Sequence, residues 1–154
     1  MVRIELEMLV RAPPAACYAL ALDVQAHLDS TTQTGERVVA GPASGQLSLG
    51  DVVTWEGRHF GIRQRLTVRI TAATPPHHFR DELVRGAFKT LRHDHYFEPA
   101  PGGTRVRDVF EFSSPFGFVG QWLDKLFLQR YLTRFLLARN AVLKHQLEFS
   151  MEKK

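Results

Sequence analysis

Residues Phe118 to Phe149 read FVGQWLDKLFLQRYLTRFLLARNAVLKHQLEF. Val119, Trp122, Leu123, Leu126, Phe127, Tyr131, Phe135, Val142 and Leu147 recur at steps of three to four, with Asp124, Arg130, Arg134, Arg139 and Lys144 between them. This is the period of an amphipathic helix whose charged residues form its solvated face. Roughly 30 helical residues extend about 45 Å. A single helix of that length buries its stripe only against an apolar surface of matching extent.

Upstream of Ser114-Pro115 the period is two. Val2 to Val10 alternates apolar and polar residues, as a half-buried strand does. Pro13-Pro14 opens a short helix over Ala15 to Leu22, and Asp23 to Leu28 reads as a second. Strands are expected over Gln33 to Ala40, Asp51 to Glu56, His59 to Thr74, Phe79 to Val84, Phe88 to Glu98 and Thr104 to Ser113. Gly41 to Gly50, Pro75-Pro76, Gly86 and Pro99 to Gly103 supply the breaks. A strand, two short helices, six strands and a long helix make an α+β fold with an antiparallel sheet lying across the helix.

The 154 residues are 44% hydrophobic and 23% charged, enough for one domain with its own core and too few for two ordinary ones. The expected organisation is a single domain over 1–154. The longest uncharged stretch in the N-terminal part, Ala12 to Leu22, is far short of the roughly 20 apolar residues of a membrane span. Arg3, Glu5 and Glu7 break up the apolar positions where a secretory signal would lie, so a cytoplasmic setting is expected. Cys17 stands alone, which excludes an internal disulfide and a cysteine-based zinc finger. The net charge of +4 is modest and dispersed among acids, so no nucleic-acid partner is expected.

Strand phase assigns faces. Leu91, His93, His95 and Phe97 share the inward face of one strand, and Val106, Asp108, Phe110 and Phe112 that of the next. The pairing expected across Pro99 to Gly103 sets His93 opposite Asp108 and Phe97 opposite Thr104. Ile62, Gln64, Leu66, Val68 and Ile70 point the same way, as do Phe79, Asp81 and Leu83. The inward face thus holds Gln64, Asp81, His93, His95 and Asp108 among apolar residues. Burying such groups unpaired costs several kcal/mol. They either satisfy one another in a network or line a cavity with a ligand in it. The outward set, including Arg92, Arg105, Arg107, Asp94, Glu98 and Glu111, is expected to form cross-strand ion pairs.

The element order, together with Gly50-Asp51-Val52-Val53-Thr54-Trp55, His59-Phe60-Gly61, Phe79-Arg80-Asp81-Glu82, the His93-Asp94-His95 strand and Gly102-Gly103-Thr104 leading to Asp108-Val109-Phe110-Glu111, resembles the START-like (SRPBCC) superfamily. The likeness is to its polyketide cyclase/dehydrase-like ligand-binding branch and covers essentially the whole chain. It implies a helix-grip fold: a curved antiparallel sheet of about seven strands wrapped around the long C-terminal helix, with two short helices between strands 1 and 2. It also implies a cavity between sheet and helix for a hydrophobic or amphipathic small molecule. A Rieske subunit is excluded, because one cysteine cannot supply its iron–sulfur ligands.

The expected lining is Trp55, Phe60, Gln64, Asp81, His93, His95, Asp108, Phe110, Phe112, Trp122 and Leu126. The preferred function is non-enzymatic binding, transport or sensing of a hydrophobic small molecule or lipid, without stable membrane insertion. An alternative is a cyclase or dehydratase in which His93 or His95 and Asp108 form an acid–base pair. A second alternative is a protein-interaction module resembling chaperone co-activators. No cofactor is called for. A metal site would need His93 and His95 plus a third ligand such as Asp108 or His59, and no metal is expected.

Overall fold

The computed structural model describes residues 1–153. Seven antiparallel strands run in the order β1-β7-β6-β5-β4-β3-β2. They are β1 (Val2–Val10), β2 (Arg37–Ala40), β3 (Val52–His59), β4 (Ile62–Thr74), β5 (His78–Arg85), β6 (Thr90–Ala100) and β7 (Gly103–Ser113). The short helices α1 (Pro14–Ala21) and α2 (Val24–Ser30) lie between β1 and β2, as the helix-grip order requires. Proline opens α1, where a missing N–H is harmless. Asp23 caps α2 by accepting from the Ala26 N–H at 2.8 Å. The C-terminal helical segment comprises α3 (Gly117–Leu123), a π turn (Asp124–Leu128) and α4 (Gln129–Glu152).

The curved sheet grips this helix through two clusters. One joins α1, α2 and Leu147 to Val53, Trp55, Val68, Ile70, Phe79 and Phe97. The other sets Leu132 and Leu136 against Val2, Ile4, Leu91, Phe110 and Phe112. On the outer face the expected cross-strand pairs form. Arg80 Nε donates to Asp94 at 2.8 Å, Arg92 to Glu111 at 3.1 Å, and Arg107 lies 3.3 Å from Glu5.

Three expectations are corrected. The β6–β7 hairpin is tighter than expected: Ala100 pairs with Gly103 across Pro101-Gly102, so His95, not His93, is opposite Asp108, and His93 is opposite Phe110. The slip is two residues, so every side chain keeps its face. β3 runs through Gly57 to His59, and the turn into β4 is Phe60-Gly61, both at positive φ (55° and 73°). That is the backbone of a tight two-residue hairpin, and it holds the Phe60 ring out at 61% exposure.

The third correction concerns helix phase. A π turn adds one residue to the helical ladder and rotates all that precedes it by roughly 100°. The inward side accordingly runs through Gly120, Asp124, the half-buried Leu128, Leu132, Leu136 and Asn140, leaving Trp122 at 71% and Leu126 at 44% exposure. Asp124 fixes the turn by accepting hydrogen bonds from the Ser114 N–H, at 2.9 Å, and the Ser114 hydroxyl. Arg139, expected on the solvated face, is buried at 7% exposure.

Candidate functional site

Between the sheet and α4 lies a cavity of about 350 Å³. Its walls are apolar: Leu66, Val68 and Ile70 from β4, Phe79 from β5, Leu91 and Phe110 from β6 and β7, and Leu132, Phe135 and Leu136 from α4. Polar side chains enter it at two places.

The deeper group sits where β5, β6 and β7 face α4. Asp108 Oδ1 lies 2.9 Å from His93 Nε2 and 3.1 Å from His95 Nδ1, and Oδ2 accepts from Asn140 Nδ2 at 2.7 Å. His95 Nε2 lies 2.9 Å from Asp81 Oδ2. Both ring nitrogens of His95 therefore face carboxylates, an arrangement that only the doubly protonated ring satisfies as donor twice. Burial opposes that charge, but the hydrogen bonds to Asp108 and Asp81 outweigh it and raise the His95 pKa. His93 goes the other way: burial and the neighbouring His95 charge lower its pKa, leaving a neutral ring that donates Nε2–H to Asp108.

Burial also opposes ionisation of Asp108, yet the two histidines hold its pKa well below the carboxylate range. Asp81 is lowered too, with His95, His93 and Arg139 overcoming burial. The rings lock together: His93 and His95 centroids are 3.7 Å apart, and Phe79 stacks on His95 at 4.1 Å. Arg139 closes this end from α4, its Nε buried without a hydrogen-bond partner.

The second group lies near the Phe60 turn. His59 Nδ1 and the Tyr131 hydroxyl are 2.6 Å apart, and His59 Nε2 is 3.8 Å from Glu36. His27 Nε2 is 2.6 Å from Glu36, and its ring stacks on Trp55 at 3.9 Å. Burial lowers the His59 pKa against the pull of Glu36. Gly57 makes room for this chain, since a Cβ there would stand 2.8 Å from Glu36 Cγ.

Of the expected lining residues, Trp55, Phe60, Gln64, Asp81, His93, His95 and Phe110 border the cavity. Asp108 stands behind the histidines, against a much smaller void. Phe112 is fully buried in the core beside the cavity. Trp122 and Leu126 do not border it, for the reason of phase given above. Arg139, Glu36, His27 and Tyr131 border the cavity and were not expected there. Only Arg139 had a usable signal, because it lies three residues after Leu136 and four before Leu143 on the apolar stripe.

Asp81, His93 and His95 each bring one ligand atom within 4.8 Å of the others. They fit a metal poorly, because His95 has both nitrogens committed to carboxylates and Arg139 adds positive charge at Asp81. Chemically, the deep cluster offers an imidazole whose charged form two carboxylates favour, a second imidazole whose neutral form burial favours, and a guanidinium at the end of an apolar chamber. That suits a small molecule with an apolar body and a polar end.

A curved seven-stranded sheet closed by a long helix over such a chamber defines a START-like ligand-binding fold. The sequence pattern of the polyketide cyclase/dehydrase and lipid transport family matches residues 1–148, and the chain belongs to that family, within the SRPBCC superfamily. No curated protein matches the chain. Among solved structures it is similar to TTHA0849 from Thermus thermophilus, at 20% identity and a TM-score of 0.77, covering 95% of this chain and 97% of that one. Protein CV1439 from Chromobacterium violaceum is 16% identical with a TM-score of 0.74, covering 96% of this chain and 99% of that one. The major latex-like protein 151 from Panax ginseng is 14% identical with a TM-score of 0.70, covering 95% and 97%. At these identities the likeness establishes the fold. Among the described residues, no helix is long and apolar enough to cross a membrane.

Proposed function

We propose that the chain is a single ligand-binding domain that holds a hydrophobic or amphipathic small molecule in the cavity between sheet and α4, as a carrier or sensor and without chemical conversion. The observation that carries this reading is a chamber of about 350 Å³ walled by Val68, Ile70, Phe79, Phe110 and Leu136. Interiors are normally packed with few voids larger than a water molecule, and an apolar void of this size is what an apolar guest fills. The family description, which joins lipid transport to cyclase chemistry, supports the same class of ligand.

The polar cluster supports orientation over catalysis. A general acid or base needs a group that exchanges a proton near working pH. The pKa of Asp108 is held well below the carboxylate range, that of His95 is raised by its two carboxylates, and that of His93 is lowered by burial and the neighbouring His95. The three are thus pushed apart, and their hydrogen bonds go to one another and to Asp81.

The test is a fluorescence titration with N-phenyl-1-naphthylamine, a neutral apolar probe. Saturable binding at one site per chain is expected, and Val68→Trp, which places an indole in the chamber, is expected to weaken it at least tenfold. Equal binding by parent and V68W would contradict the reading. So would turnover of an aromatic polyketide-like substrate by the parent that His93→Ala abolishes.

A further inference from the structure

The fold leaves one buried cation without a hydrogen-bonding partner. Arg139 is on the α4 stripe between Leu136 and Leu143, 7% exposed, and borders the deep end of the cavity. Its Nε is fully buried and unbonded. A buried guanidinium without acceptors is costly, because it has lost its water and gained nothing in exchange. Every other buried side-chain polar atom among the described residues has a partner, so the gap is confined to this group.

The neighbours cannot easily fill it. Asp108 spends its oxygens on His93, His95 and Asn140. Asp81 gives Oδ2 to His95 and feels the Arg139 charge without pairing with it. Glu36 and Glu56 are committed elsewhere, to His27 and to Arg37 and Arg65. A positive ion is disfavoured here by the guanidinium itself. The missing partner is an acceptor. Arg139 borders both the cavity and the small void of about 20 Å³ behind the histidines, and only the cavity has room for more than a water molecule, between apolar walls.

We infer that Arg139 is the head-group receptor of the cavity, and that the bound molecule is an amphipath whose carboxylate is received by the guanidinium while its apolar body lies against Phe79, Phe110 and Leu136. A carboxylate matches the planar fork of an arginine with two parallel hydrogen bonds, which an alcohol or an ester cannot reproduce. The inference rests on the ligand-binding reading above and narrows its ligand class.

The experiment measures displacement of N-phenyl-1-naphthylamine by decanoate and by decan-1-ol, molecules of the same chain length that differ in charge. The parent is expected to bind decanoate about 10- to 100-fold more tightly than decan-1-ol, the range of a charge-assisted pair. Arg139→Gln is expected to erase this preference by weakening decanoate alone, and Arg139→Lys to keep part of it. Circular dichroism and a retained affinity for the neutral probe confirm that each variant is folded. Equal affinity of the parent for the two competitors overturns the inference while leaving the cavity reading intact. A preference that persists undiminished in folded R139Q overturns it as well. Failure of the neutral probe to bind the parent overturns the cavity reading itself.

Discussion

Replacing Asp108 by Asn keeps the shape of the side chain and removes its charge, which isolates what the charge does. In the protein three donors converge on this carboxylate: His93 Nε2 and His95 Nδ1 on Oδ1, and Asn140 Nδ2 on Oδ2. An amide has one acceptor oxygen and presents an NH2 in place of the other. At least one donor then meets a donor and loses its partner, at about 1–3 kcal/mol. The bonds that survive fall from charge-assisted to neutral, losing about 1 kcal/mol each. The His95 cation also loses one of its two counter-charges. The expected total is about 3–5 kcal/mol, the range for breaking a buried ion pair from one side. Urea denaturation at pH 7 measures it, with an unchanged m-value showing that the folded and unfolded states keep their exposures. In a chain of this size the same loss lowers Tm by roughly 6–20 °C. A loss below about 1 kcal/mol would refute the argument, because the network would then contribute no more than exposed polar contacts do.

The raised pKa of His95 stabilises the fold below the unfolded histidine value of about 6.5. That contribution is lost as pH rises through the raised folded value, so stability should decline as pH climbs above about 6.5 and His95→Gln should flatten the decline. His93 has the opposite sign, its stabilisation being present above about 6.5 and lost as pH falls through its lowered value, so His93→Gln should soften the acid-side loss. Chemical denaturation from pH 5 to 9 resolves both; an identical profile for parent and H95Q would contradict the two-carboxylate geometry. Leu126→Asp should cost less than about 1 kcal/mol because the residue is 44% exposed, whereas Leu132→Asp, at 8%, should cost several by burying an unpaired charge. Comparable losses in thermal melts would mean that the π turn does not set the phase. Trp122→Ala should leave binding of the neutral probe unchanged and Phe79→Ala should alter it, since only Phe79 borders the cavity.

The sheet and its faces are legible in the sequence because alternation is a local signal repeated over many residues. Parity alone puts His93, His95 and Asp108 on one surface, and a register error of two residues does not disturb parity. The register itself depends on the loop, and Pro99 to Gly103 contains more turn-forming residues than the turn uses. The helix is legible in extent and illegible in phase. The π turn is held by Asp124 reaching back to Ser114, a tertiary contact with no periodic signature. Periodicity misplaces Trp122 and Leu126 on that account. The charge of Arg139 argues for solvent, although its spacing from Leu136 and Leu143 is that of the stripe. His27, Glu36, His59 and Tyr131 are brought together from α2, the segment before β2, the end of β3 and α4, and no pattern within one element could join them.

The two tryptophans divide the central claim cleanly, since Trp55 borders the cavity and Trp122 stands outside it at 71% exposure. Their indole N–H resonances can be followed by ¹H–¹⁵N NMR as N-phenyl-1-naphthylamine is added. A guest in the cavity between sheet and helix shifts the Trp55 signal until one equivalent is bound and leaves that of Trp122 in place. A shift of Trp122 with Trp55 unmoved would place the guest on the exposed face of α3 and contradict the account.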